Sequence, residues 1–172
     1  MKRLIGFLAL AMIFSISQNA NAQEFKFGHV DSDQLFQMMP ERDTIITQMQ
    51  ELQTELQNTL EIMQVEYNNK LNDYTNEAEK LSDLVRQTKE EELVGLQQRI
   101  QNFSQNADLQ LQNKQGELMQ PLVQKMEKAI KDVARENSFT YIFDISRGSI
   151  IYFDETISED ILEKVKAKLG IE

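Results

Sequence analysis

Between residues 41 and 136 the apolar side chains recur at intervals of three or four residues. Their mean interval is about 3.6 residues, which is the period of an α-helix and differs from the period of two in a strand. Because this spacing is also close to an 11-residue repeat, it predicts a long, nearly straight helix. The repeating positions of the first half are Ile45, Met49, Leu52, Leu56, Leu60, Met63, Tyr67, Leu71, Tyr74, Ala78, Leu81 and Val85.

The second half of this region carries a matching stripe. Between the stripes, Thr88 followed by Glu91 fits a capping box, which predicts a new helix from Lys89. We therefore expect an antiparallel helical hairpin, with two helices of about 45 residues and roughly 65–70 Å each. The alternative is one uninterrupted helix in a long coiled coil. The second stripe consists of Leu93, Leu96, Ile100, Phe103, Ala107, Leu111, Leu118, Leu122, Met126, Ile130 and Val133.

The segment before the long helices predicts a strand and a short helix. Residues 25–31 alternate apolar and polar side chains, as a half-buried strand does. Ser32 or Asp33 can cap a short helix through Leu35. Pro40 then interrupts this helix before the long one begins.

The segment after the long helices predicts two strands and a helix. Asn137 can end the second long helix, and residues 139–144 and 149–153 are rich in aromatic and β-branched side chains, which favour strands. Residues 146–148 would form the turn of a hairpin between them.

A last helix is predicted at the C-terminal end of the chain. Thr156 with Glu159 forms a second capping box, and Gly170 can end the helix that follows it. The apolar face of this helix would consist of Ile161, Leu162, Val165 and Leu169.

Together these elements predict an α+β fold. Residues 23–40 and 137–172 would form a small β-rich body, and residues 41–136 would form a helical hairpin arm inserted into it. The body contains only 54 residues, so it buries little of its surface alone, and its strands leave edges to protect. We therefore expect oligomerisation through the body.

Residues 1–22 have the pattern of a secretory signal peptide. Lys2 and Arg3 precede an apolar run, and Ala20-Asn21-Ala22 supplies the small residues of a cleavage site. The apolar run is too short to span a bilayer comfortably. We expect an exported, soluble protein that is cleaved after Ala22.

The charge balance argues against polyanionic partners. Without Lys2 and Arg3 the chain has 16 basic and 28 acidic residues, a net charge of −12. The arm alone has 11 basic and 18 acidic residues, a net charge of −7. Because there is no basic stripe, we expect binding to neither nucleic acid nor anionic lipid.

No set of residues predicts catalysis or a bound cofactor. His29 is the only histidine, and with Asp31 and Asp33 it offers too few ligands of fixed geometry for a metal site. We expect a structural role for it. The sequence has no glycine-rich phosphate loop and no recognisable nucleophile–histidine arrangement. We therefore expect a protein that is not an enzyme and has no catalytic, cofactor-binding or metal-binding residues.

Some apolar residues of the arm lie outside the two stripes. They could be singly exposed or could widen the packed seam, as ordinary surface apolar residues do. They could instead form a diffuse, weakly adhesive surface that contacts other proteins. These candidate contact residues are Ile46, Ile62, Val65, Leu84, Val94 and Leu109.

The order of the elements and three soft motifs carry a family resemblance. The segment Ser32-Asp33-Gln34-Leu35-Phe36 follows the first strand, the run Gln97–Phe103 lies in the second long helix, and Val133–Asn137 precedes the next strand. With the signal peptide and the helical hairpin, they resemble the Skp/OmpH family of periplasmic chaperones over essentially the whole mature chain.

The resemblance implies both an architecture and a function. It implies a jellyfish-like homotrimer in which helical arms surround a cavity. It also implies an ATP-independent holdase that binds unfolded outer-membrane proteins in that cavity and prevents their aggregation. The best-known member has strongly basic arms, for which a lipopolysaccharide contact has been proposed. The arms here are acidic, so lipopolysaccharide binding is not carried over to this chain.

A different class of function also fits the predicted arm. A long helical hairpin could act as an envelope spacer or scaffold that joins fixed partners without holding unfolded proteins. The spacer predicts a fixed partner and sealed arms, whereas the holdase predicts many clients and mobile arms.

Overall fold

A computed structural model describes residues 25–148 and 150–171, and the predicted signal peptide lies outside these residues. The fold is α+β, with a small parallel sheet at the root of a long helical hairpin. A short 3₁₀ turn, Ala78–Lys80, follows the first long helix. In chain order the elements are β1 (Phe27–Val30), α1 (Ser32–Met38), α2 (Glu41–Glu77), α3 (Asp83–Glu136), β2 (Tyr141–Asp144), β3 (Ser158–Asp160) and α4 (Leu162–Leu169).

The sheet places the first strand in its centre. Its order is β2-β1-β3, and both neighbours run parallel to β1. Phe27 pairs with Tyr141 on one side and with Ser158 on the other. Parallel neighbours need a long crossover, and the whole arm supplies the one between β1 and β2.

The predicted hairpin of strands 139–144 and 149–153 is wrong in its second half. Residues 150–153 form no strand, and the side chain of Ile151 is 99% exposed. The predicted hairpin would have placed this segment against the outer edge of β2, but β2 is an edge strand whose neighbour in the sheet is β1. Within the single chain, the β-branched and aromatic residues of this segment therefore remain outside the sheet.

The capping box predicted at Thr156 and Glu159 is also wrong. Glu159 lies in strand β3, where its carboxylate is 3.0 Å from Lys26 Nζ. Helix α4 begins at Leu162, whose backbone N–H donates to the carboxylate of Asp160 at 2.9 Å. Its predicted apolar face is correct, since Ile161, Leu162 and Val165 are buried, and Gly170 ends the helix with a φ of 72°.

Two further helix starts differ from the sequence prediction. Asp31 caps α1 by accepting from the Gln34 N–H at 2.8 Å, while the Ser32 hydroxyl donates to Asp144 in β2 at 2.6 Å. Helix α3 begins at Asp83 rather than Lys89, because the chain reverses within residues 78–82. Thr88 lies inside α3 and donates to the Leu84 carbonyl at 2.9 Å, a bond that threonine commonly makes within helices.

The core of the body extends into the long helix α3. Buried Leu122, Met126, Ala129 and Val133 from α3 pack with Val30, Leu35 and Met39 and with the buried face of α4. Gly28 allows this close packing, since a Cβ there would lie 3.0 Å from the Phe139 ring and 3.2 Å from Ile161. The root of α3, from about residue 122 onwards, is therefore held by the body, although the sequence pattern alone assigns it to the arm.

Candidate functional site

The arm is a hairpin of 37 residues in α2 and 54 residues in α3, which continues through Pro121. At 1.5 Å per residue, α3 is roughly 80 Å long. The predicted stripes face each other, and the buried seam residues outside the root are Leu56, Leu93 and Leu96. The remaining seam residues are largely half-buried. Such a thin seam offers few buried contacts per turn, as is typical of segments that open locally.

Ion pairs join α2 and α3 towards the end of the arm that lies far from the sheet. Lys70 Nζ donates to Glu92 at 2.6 Å, and Lys89 lies 3.7 Å from Glu77. The hydrogen bond between Lys70 and Glu92 lowers the pKa of the Glu92 carboxyl and raises the pKa of the Lys70 ammonium. At the root, the hydrogen bond from Lys125 likewise lowers the pKa of Glu41. The outer pair lies next to the buried seam residue Leu93, and the root pair lies next to buried Met126, so both link the two helices where the seam is also packed.

The six candidate contact residues are all exposed in the structure. Their exposure ranges from 37% for Ile46 to 74% for Leu84. They are scattered along the arm, and they form no continuous patch along the sequence of either helix. Their role as contact residues stays a prediction, since exposure alone shows only that they are accessible. The residues in question are Ile46, Ile62, Val65, Leu84, Val94 and Leu109.

An open groove of about 580 Å³ lies between the two helices at the root of the arm. We call it the root groove. Among the candidate contact residues, Ile46 lines it. Leu109 lines a separate, more polar depression further along the arm. The apolar lining of the root groove consists of Phe36, Ile45, Ile46, Met49, Leu111 and Met119.

Most of the root-groove residues were not singled out by the sequence pattern. Ile45, Met49 and Leu111 belong to the predicted stripes, which were interpreted as packing, and they are half-buried. The available signal was the presence of Met49 and Met119, because methionine is flexible and often lines adaptable binding surfaces. Phe36 belongs to α1, so its position in the groove depends on how α1 packs against the arm, which periodicity cannot reveal.

A second exposed apolar surface lies on one face of the sheet. Phe27 stacks with Tyr141 and Phe143, with ring centroids 6.2 and 6.3 Å apart. Phe25 extends the same cluster at 6.5 Å from Phe27. Tyr141, Phe143 and Phe25 are exposed in the single chain. We call these four residues the aromatic sheet face.

His29 has a structural environment, as the sequence suggested. Its ring is buried, its Nδ1 lies 3.0 Å from the Ser158 hydroxyl, and its centroid is 4.4 Å from that of Phe153. These contacts join β1 to β3 and to the segment that precedes β3. Within residues 25–148 and 150–171, no group of three or more potential ligands could hold a metal ion. None of the helices in this part of the chain is long and apolar enough to cross a membrane.

Comparison with known proteins gives three consistent findings. The family model described as "Outer membrane protein (OmpH-like)" matches residues 26–169. The chaperone protein Skp of Vibrio cholerae is 23% identical over 169 residues, which cover 96% of this chain and all of that protein. A crystal structure described as that of an OmpH-like outer membrane chaperone from Caulobacter crescentus superposes with a TM-score of 0.72, at 11% identity, over 84% of this chain and 83% of that one.

Proposed function

The chain belongs to the OmpH-like family of outer membrane proteins, and from this premise we propose that it is a periplasmic holdase chaperone. In this proposal it binds unfolded outer-membrane proteins without ATP and prevents their aggregation. The Vibrio and Caulobacter relatives, both described as chaperones, support this function. The secretory pattern of residues 1–22 supports the compartment.

The observation that carries the proposal is the exposure of apolar side chains on an arm with a thin seam. Ile62, Val65 and Leu84 are more than half exposed, so another polypeptide can reach them along much of the arm. Each exposed residue offers a weak contact, and many weak contacts together retain a chain through avidity while it remains mobile. The thin seam lets the arm adapt to clients of different size.

We propose that copies of the chain associate through the aromatic sheet face and through Ile151 and Tyr152, which are exposed in the single chain. A contiguous exposed apolar surface is typical of an interaction site. Aromatic residues are enriched in such interfaces because their rings bury a large area. By the family resemblance, the assembly is a homotrimer that places three arms around a shared client cavity. Lipopolysaccharide is not part of the proposal, because the arm is acidic.

Suppression of aggregation tests the proposed function. An unfolded outer-membrane barrel protein is diluted from urea with and without the full exported chain, in the absence of any nucleotide, and light scattering is recorded. We expect the full chain to abolish most of the scattering at a stoichiometric ratio. Unchanged scattering would overturn the holdase. In a pull-down of the exported protein, recovery of one fixed envelope partner in place of many clients would favour the spacer.

A further inference from the structure

The root groove differs in charge from the rest of the arm. Its lining contains no carboxylate, although acidic residues outnumber basic ones along the arm by 18 to 11. Arg42 is the one charged residue among the lining residues, and its guanidinium is already 3.3 Å from Asp43. By contrast, the depression beside Leu109 includes Glu117 together with Lys114, and the one beside Thr47 includes Glu51 and Glu55. The root groove is therefore a nearly neutral surface on an acidic arm.

Primary amides also line the groove, since glutamine side chains from α1, α2 and α3 reach it. Among the residues that the structure describes, none of their side chains makes a hydrogen bond within the chain, whereas Gln64, Gln87 and Gln98 bond to neighbours on their own helix. Each primary amide offers two donors and one acceptor. These lining glutamines are Gln37, Gln50, Gln53, Gln112 and Gln115.

An extended polypeptide presents the matching chemistry. Its backbone N–H and C=O groups have no intrachain partners, and moving them against an apolar surface costs free energy unless they are hydrogen-bonded. Glutamine amides can bond to these groups whatever the sequence of the segment, while Met49 and Met119 adapt to its side chains. A purely apolar ligand, such as an acyl chain, would make no use of the amides.

Charge selects the kind of segment that fits. An acidic segment would be repelled by a chain whose mature form carries a net charge of −12. A basic segment would gain more from the carboxylates elsewhere on the arm than from a groove that has none. An uncharged segment meets no charge repulsion in the groove and gains both apolar burial and hydrogen bonds.

We propose that the root groove is the anchoring site for extended, uncharged segments of an unfolded client. Aliphatic or aromatic side chains of the segment enter the groove between Ile46 and Met119, and its backbone groups bond to the glutamine amides. The inference rests on the proposed holdase function and refines it, because it adds one preferred site next to the body to the diffuse contacts along the arm.

Two double variants with the same charge change test the site. Gln50→Glu/Gln53→Glu places two carboxylates in the groove without changing side-chain shape. Gln48→Glu/Gln57→Glu places two carboxylates on exposed positions of the same helix outside the groove. Binding of a fluorescently labelled unfolded outer-membrane barrel protein is measured by anisotropy with the intact oligomer. Circular dichroism and sedimentation confirm that each variant is folded and assembled.

The groove variant should bind the client about tenfold or more weakly, and the control variant should stay within about twofold of the wild type. Equal effects of both variants, or no effect of either, would overturn the anchoring site while leaving the holdase intact. A groove variant that changes the oligomeric state would identify the groove as a contact between copies and would also overturn the site. Failure of the wild type to bind the client would instead overturn the proposed function.

Discussion

Ile142 and Ile151 lie in segments of similar composition, yet their environments are opposite. Ile142 belongs to β2 and packs against the core of the body, whereas Ile151 lies outside the sheet and is almost completely exposed. Sequence composition predicts a strand for both, because β-branched and aromatic residues favour any pleated surface. Which residue is buried depends on the pairing partner. In a single chain, the partners of β1 are β2 and β3.

This difference predicts different consequences for the same substitution. Ile151→Asp should leave the chain folded and abolish its self-association, because a charge would be buried unpaired only in the assembly. Ile142→Asp should instead unfold the body. Sedimentation should give the mass of one chain for Ile151→Asp, with unchanged circular dichroism, while Ile62→Asp on the exposed arm should stay assembled. An assembled Ile151→Asp variant would show that this segment is not part of the interface.

At the scale of elements, cross-helix ion pairs add to the apolar packing of the outer arm. The pair of Lys70 and Glu92 bridges α2 and α3 next to the buried seam residue Leu93. Because the pKa of Glu92 is lowered in the folded state, its contribution is present above its ordinary pKa of 4.5 and is lost as the pH falls through the folded value. The raised pKa of Lys70 keeps that contribution until the pH rises above 10.5.

Glu92→Gln should therefore lower the thermal midpoint of the arm at pH 7, and this difference from the wild type should be smaller at pH 3, because the contribution of the pair is lost as the pH falls below the ordinary pKa of the carboxyl. Glu91→Gln is the matched control, since Glu91 bonds to Gln87 within its own helix at 2.9 Å. Far-UV circular dichroism melts at both pH values measure the difference. If the two variants behave alike at pH 7, the cross-helix pair does not stabilise the arm.

The sequence predicted the helices far better than the turns and strands. The two stripes are local and periodic, so Leu56, Leu93 and Leu96 could be placed in the seam from spacing alone. The chain reversal was misplaced because a Thr-x-x-Glu pattern also fits a helix interior, where Thr88 bonds to Leu84. Strand β3 was missed because its three residues, Ser158–Asp160, have no apolar alternation and pair with β1 across the whole arm.

The candidate site shows the same limit. Exposure of the off-stripe residues could be anticipated from helical geometry, because positions outside a stripe face away from the partner helix. The root groove could not be anticipated in this way, since Phe36 reaches it from α1 while Leu111 and Met119 reach it from α3. A groove built from three elements depends on tertiary packing that one-dimensional periodicity does not contain.

At the scale of the whole molecule, we propose that the body assembles the oligomer and that the arms hold the client. The body core, which includes Leu122 to Val133 of α3, is independent of the outer arm. Met49 and Met119 line the same groove, so a short turn can join the two helices there. Replacing residues 50–117 by such a turn keeps the core and the pair of Lys125 with Glu41. Shortening the connection should change the stability of the body only slightly, because the entropy of loop closure depends weakly on loop length.

The most direct test of this account is the aggregation assay with the armless variant that lacks residues 50–117. Its sedimentation should match an oligomer with the same number of chains as the full protein, which shows that the body is intact. The account predicts that this armless oligomer leaves light scattering from a diluted outer-membrane barrel protein unchanged, whereas the full protein suppresses it. An armless oligomer that suppresses scattering as well as the full protein would contradict the claim that the arms hold the client.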